Sequence, residues 1–341
     1  MTKKQFFTAI LILAGSVAKQ YDATAFPNTI TLADLGNQVE VHLASHNFDW
    51  LDQTAQELRN PDVRLIGGNS QLFQFYGAVA SYEDGIAPGN TREMPFDTKR
   101  QMLEQWLSAK PQSLAAHIAL AQLWVFYGWN GRGEAYTDKV TAEQWRLLAS
   151  GMEKASSYCK GVDGRSDPHM YYLRMEISKG TSSPRRVRDE LYVSAIKAYP
   201  TYFHFYRQRA NDLQEKWAGQ KGELQAYVAS LVRSPGGESG LVAYSYAAYN
   251  LMLNIDRSSL YDSTGLTWPL VRSAYATRQQ RYGLRSRDWN ALCNFAVAAQ
   301  DRSAAKEALV KIGQDWDPAI WKERKYFDSA VAWIMWEPKH S

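Results

Sequence analysis

Cysteine is nearly absent from this sequence. The two present, Cys159 and Cys293, have no partner at the spacing that CxxC redox motifs or zinc sites require. They read as isolated core thiols, with one disulfide between them as the alternative if the chain is exported. An imbalance of charge is missing too: 39 basic against 35 acidic side chains leave a formal charge of +4. So small and scattered an excess argues against nucleic acid as a partner. Alternating polar and apolar runs are lacking, so no strand is expected. After Phe26 no apolar run reaches the length needed to span a bilayer. There is no G-x-S-x-G, no Walker loop, no G-x-G-x-x-G behind a strand and no HExxH, so the familiar hydrolase, nucleotide and metalloprotease signatures are excluded.

Aromatic residues are what the chain has in plenty: 12 Trp, 20 Tyr and 12 Phe. Rings of this size suit helix–helix seams and also binding surfaces. Apolar content of 45% with 22% charged is that of a folded protein. At 341 residues, one large domain or a helical array is expected.

The first residues have the pattern of an export signal. Lys3 and Lys4 precede an apolar run from Phe6 to Ala14, and small residues follow at Ser16-Val17-Ala18 and Ala23-Thr24-Ala25. The expectation is a signal peptide over residues 1–25, a mature start near Lys19 or Phe26, and a periplasmic or secreted protein that meets the membrane only during export. The alternative is a cytoplasmic protein whose first helix is amphipathic.

Helical periodicity then dominates. Phe26–Val41 reads as loop with at most a short helix at Leu32–Leu35. Phe48, Leu51, Ala55 and Leu58 form one stripe, capped by Asn47 and stopped at Asn60-Pro61. Ser70–Ser81 follows, then a Gly- and Pro-rich loop over Glu83–Pro95 and a helix over Asp97–Lys110. Ser113 caps a helix apolar on more than one face, which predicts burial between neighbours. Trp129-Asn130-Gly131-Arg132-Gly133 reads as the loop of a hairpin whose returning helix is Thr141–Cys159. Further helices are expected at 168–178, 184–199, 202–217, 224–232, 241–253, 268–282, 287–300, 303–312 and 318–336, with Ser234–Gly240 as a loop.

Hairpins in series call for a search for repeats. Trp289, Leu292 and Ala296, followed by Ala305 and Leu309, follow the tetratricopeptide spacing in part. Ala195 with Pro200, and Leu107 with Pro111, Ala115 and Ala119, fit repeat junctions. Trp129, Arg132 and Gly133, then Trp145 and Ala155, then Ala195, Tyr199-Pro200, Tyr202 and Tyr206, and finally Lys216-Trp217-Ala218-Gly219 add a more particular signature. With these residues the chain resembles a bacterial helical-hairpin family known only as a domain of unknown function and related to tetratricopeptide arrays. The likeness covers Phe48–Leu253. Where that family prefers Pro-Arg before the Trp of its turn, this chain carries Gln214-Glu215-Lys216. The resemblance implies an all-α fold of stacked antiparallel hairpins, a tetratricopeptide-like α-solenoid, and no chemistry. After the signal, residues 26–341 are expected to form one helical-repeat domain, with the resemblance over 48–253 and C-terminal hairpins over 254–341.

Candidate chemistry is sparse. Among the six histidines, His42 and His46 are four apart and would share a helix face, while His117 and His204 sit in apolar or aromatic helices. No third ligand accompanies any pair, so neither metal nor cofactor is expected. Arg132 reads as a tie for a helix end or for a carboxylate of the neighbouring pair, Glu134 and Glu143 as caps or an acid/base pair, and Arg185-Arg186-Val187-Arg188 as a solvated first turn, with an acidic partner or phosphate-bearing surface as its alternative. Tyr199, Tyr202, Phe203, Phe205 and Tyr206 form the densest aromatic group, either core or groove. The function expected is therefore non-enzymatic: a peptide or protein partner held in the cell envelope, with Trp129, Arg132, Tyr202, Tyr206 and Trp217 as partner-binding or hairpin-joint residues. A cell-envelope hydrolase on a helical scaffold is the alternative.

Overall fold

The computed structural model describes residues 31–60, 62–82, 94–135, 137–217 and 219–336. The expected export signal over residues 1–25, most of the Glu83–Pro95 loop, Pro61, Ala218 and His340 lie outside the described residues. Among the described residues the protein is all-α. No strand occurs, and Arg64 and Ser70 form only an isolated antiparallel bridge. None of the described helices is long and apolar enough to cross a membrane. The chain divides into two compact units: residues 30–65 with 69–208, and residues 66–68 with the chain from Arg209 onward.

The first unit contains α1 (Leu32–Ala44), α2 (Phe48–Leu58), α3 (Gln71–Ala80), α4 (Phe96–Ala109), α5 (Leu114–Arg132), α6 (Ala142–Lys160), α7 (Pro168–Gly180), α8 (Arg185–Ala198) and the start of α9 (His204–Asp212). Most consecutive helices pack together, and so do alternate ones: α1 with α3, α3 with α5, and α5 with α7. The caps read from the sequence are present. Asn47 accepts from the Trp50 N–H at 3.2 Å, and Ser113 accepts from Ala116 at 2.9 Å. Thr141 and Gln144 close a capping box on α6, a device that contributes about 1 kcal/mol. α5 is buried almost all round, from Ala115 through Leu123 to Gly128, as its many-sided apolar pattern requires.

Several boundaries differ from the expectation. Residues 32–44 form a full helix, because Thr31 caps it and Leu35, Val39 and Leu43 bury one stripe despite Gly36. His42 lies in the last turn of that helix while His46 lies beyond its end at φ +56°, so the two do not share a helix face. His42 stacks on Trp50 instead, with ring centroids 3.9 Å apart.

Trp129–Gly131 is helix rather than loop. Glycine here serves packing: a Cβ on Gly131 would lie 2.6 Å from the Leu147 Cβ, and one on Gly151 would lie 2.7 Å from the Gly128 Cα. The helix stops only at Gly133, whose φ of +70° suits glycine and whose N–H donates to Trp129 and Asn130 oxygens at 3.0 Å.

The second unit contains α10 (Glu223–Ser230), α11 (Gly237–Asn254), α12 (Leu260–Thr264), α13 (Trp268–Tyr282), α14 (Ser286–Ala298), α15 (Arg302–Ile312), α16 (Pro318–Trp321) and α17 (Arg324–Met335). α9 is shorter than the expected 202–217 helix, ending at Asp212. The expected loop over Ser234–Gly240 is already helical from Gly237, after one wide turn over Val232–Gly236. The expected 318–336 helix is broken at Lys322, which has φ +64°.

A buried ionic node holds the short 66–68 segment in this unit. The Gly67 carbonyl accepts from Arg278 Nε at 3.0 Å and Nη2 at 2.8 Å, and Arg278 also donates to Asp288 at 2.7 Å. Burial alone would raise the Asp288 carboxyl, but Arg278 and Arg285 more than offset it and hold it below its usual range.

Candidate functional site

One face of the first unit gathers chemistry from alternate helices. α3 supplies Phe73, α5 Trp129, α7 Tyr172, Glu176 and Lys179, and α9 His204 and Arg207. Phe73 stacks on His204 with centroids 3.6 Å apart and planes within 4° of parallel, and meets Tyr172 edge-on at 5.1 Å. The Lys179 ammonium lies 5.2 Å from the centre of the Trp129 ring. Phe73, Trp129, Tyr172, Lys179 and Arg207 are half-buried, whereas Glu176 is only 9% exposed. The arrangement is thus a rim of rings and cations grouped about a buried carboxyl. Burial pushes the Glu176 carboxyl above its ordinary range, against the pull of Lys179, Tyr172, Arg207 and Trp129.

Behind this face lies a sealed polar network. Asp167 caps α7 through the His169 N–H at 2.8 Å and accepts from Arg59 at 2.9 Å and from the Tyr76 hydroxyl at 3.0 Å. The His169 ring lies between the Gln122 Oε1 and the Tyr202 hydroxyl, each at 2.8 Å. With Gln122 as acceptor, Nε2 carries the proton and Nδ1 accepts from Tyr202. Burial lowers the His169 imidazole to about 3, so it is neutral at ordinary pH. These bonds tie Arg59, Tyr76, Gln122, Asp167, His169 and Tyr202 to one another across several helices.

The five residues singled out in the sequence fall in different places. Trp129 joins the rim. Arg132 is buried and closes the end of α5, donating to the Gly133 and Ala135 carbonyls at 2.9 and 2.8 Å. Tyr202 and Tyr206 are 2% and 1% exposed; the first bonds His169, and the second donates to the Pro200 carbonyl at 2.9 Å. Trp217 is half-buried in the turn after α9, in the second unit.

The other candidates resolve simply. Glu143 pairs with Arg146 at 2.6 Å on the surface. Arg185 and Arg186 are matched on their own helix by Asp189 and Glu190, at 2.7 and 2.6 Å. Cys159 and Cys293 are free and buried, with both thiols pushed up to about 12 by burial. Among the described residues no group of three or more His, Cys, Asp or Glu is placed to hold a metal ion.

Tyr172, Glu176 and Lys179 escaped the sequence reading although their spacing of four and three puts them on one face of α7. Their companions on α9 lie about thirty residues further along, and only the packing of alternate helices brings them near.

Two open grooves lie elsewhere on this unit. One, of about 630 Å³, runs beside Trp145, Met152 and Glu153, and Arg132 sits 5.4 Å from the Trp145 ring. The other, of about 540 Å³, lies beside Arg59, Lys110 and Ser113. Of the polar side chains lining the first, Glu153, Ser157, Lys160, Thr181 and Ser182 are exposed and Ser156 is half-buried. Comparison with family models, with curated proteins and with solved structures gives no match for this chain.

Proposed function

We propose that the protein is a tetratricopeptide-like array of helical hairpins that binds a peptide segment of a partner protein in the cell envelope. The observation that carries this reading is the Phe73–Trp129–Tyr172–Glu176–Arg207 face, in which half-buried rings and cations surround a buried carboxyl. The serial packing of α1, α3, α5 and α7 supports the array, since stacked hairpins present alternate helices side by side. Half-buried rings on such a layer offer large contact area at little entropic cost, which suits them to anchor a peptide. The envelope address rests on the Lys3-Lys4 and Phe6–Ala14 pattern alone. A hydrolase would need a second reacting group beside Glu176. The groups that act on that carboxyl are Tyr172, Trp129, Lys179 and Arg207, which can hold a ligand by charge and hydrogen bonds.

Affinity selection of a random peptide library on the immobilised chain tests the proposal. Peptides retained by the wild type are expected to lose about tenfold in affinity with Tyr172→Ala and to be unaffected by Trp145→Ala. Retention of no peptide, or loss on Trp145→Ala alone, overturns it.

A further inference from the structure

Resting on that reading, we infer that the peptide group held between α7 and α9 is a carboxylate, clamped by Lys179 and Arg207. The Lys179 ammonium lies 5.2 Å from the Trp129 ring, and Lys179 and Arg207 are the cations that act on Glu176. Arg207 also acts on Tyr172, and no carboxylate lies within salt-bridge distance of it among the described residues.

The hydrogen-bonding inventory leans the same way. Trp129 and Tyr172 direct their N–H and O–H to Glu176, Lys179 and Arg207 bring further N–H groups, and of these five residues only Glu176 brings strong acceptor oxygens. Gln208, one helical turn beyond His204 on the same face of α9, adds an amide nitrogen that is buried without a partner. An unpartnered buried donor is costly, and an acceptor-only ligand group relieves it. Burial raises the Glu176 carboxyl, and in its protonated form it too becomes a donor. A carboxylate is the acceptor-only group of a peptide, and a guanidinium binds it through two parallel hydrogen bonds. Phe73 and Trp129 supply apolar surface for the side chain beside it.

Three pools of synthetic random peptides distinguish the possibilities: one with free C-terminal carboxylates and no Asp or Glu, one amidated with Asp and Glu allowed, and one amidated with neither. Either or both of the first two pools should be retained by the wild-type chain, and the third should be depleted at least about tenfold. Whichever of the first two is retained names the source of the carboxylate, terminus or side chain. Arg207→Gln and Lys179→Gln should each weaken retention about tenfold, and Trp145→Ala should not. Circular dichroism of each variant shows whether it is folded; if Arg207→Gln is not, the pools on the wild type still decide. Equal retention of the third pool overturns the carboxylate while the binding reading stands. Retention of none of the pools overturns the binding reading itself.

Discussion

At pH 7 both nitrogens of His169 are engaged, and the ring has no room for a second proton. Its folded value of about 3 lies far below the ordinary 6.5. Between those values the unfolded chain binds a proton that the folded chain refuses, so this residue lowers stability as pH falls from 6.5 toward 3 and contributes no pH dependence above 6.5. His169→Gln should cost about 1–3 kcal/mol at pH 7, because Gln122 or Tyr202 loses its partner. It should also lose less additional stability than the wild type between neutral and mildly acid pH. Urea unfolding at the two pH values measures both, and parallel losses in the two proteins refute the assignment.

Among helices, glycine divides into two kinds. Gly151 on α6 faces α5, where a Cβ would meet the Gly128 Cα and the Trp124 carbonyl oxygen, each at 2.7 Å. Gly77 on α3 has nothing within 4 Å of the same position. Gly151→Ala should therefore destabilise by about 1–3 kcal/mol as the pair is forced apart. Gly77→Ala should stabilise by about 0.5–1 kcal/mol, through the lower entropy of the unfolded chain. Equilibrium denaturation of the two variants checks the contrast, and equal shifts of one sign would sink it.

The same division explains what could be read in the sequence. The helical stripes on α2 and the caps Asn47, Ser70 and Ser113 were legible because their signals lie within a turn of the residues they govern. Gly131 looked like punctuation because a glycine that ends a helix and one that admits a neighbour are the same letter. The rim on α7 was visible as a spacing, but Tyr172 could not be told from core until α3 and α9 stood beside it.

Each unit of the molecule is organised about a helix buried on most of its faces, α5 in the first and α11 in the second. Helices of this kind open only when their surroundings do. Hydrogen exchange should therefore show the amides of Ala116–Val125 and Val242–Leu251 among the last to exchange within their own units. Faster exchange there than in the surface helix α8, of which only Tyr192 and Ala195 are buried, would contradict this organisation.

The hold of Arg278 on the Gly67 carbonyl also sets an order in time. The two residues are 211 positions apart. At a synthesis rate of roughly 5–20 residues per second, the 66–68 segment is made about 10–40 s before its captor. Until then the chain about Gly67 carries exposed peptide groups and an uncommitted left-handed turn. The segment cannot take its final place before α13 and α14 have been made, however early its own residues are complete.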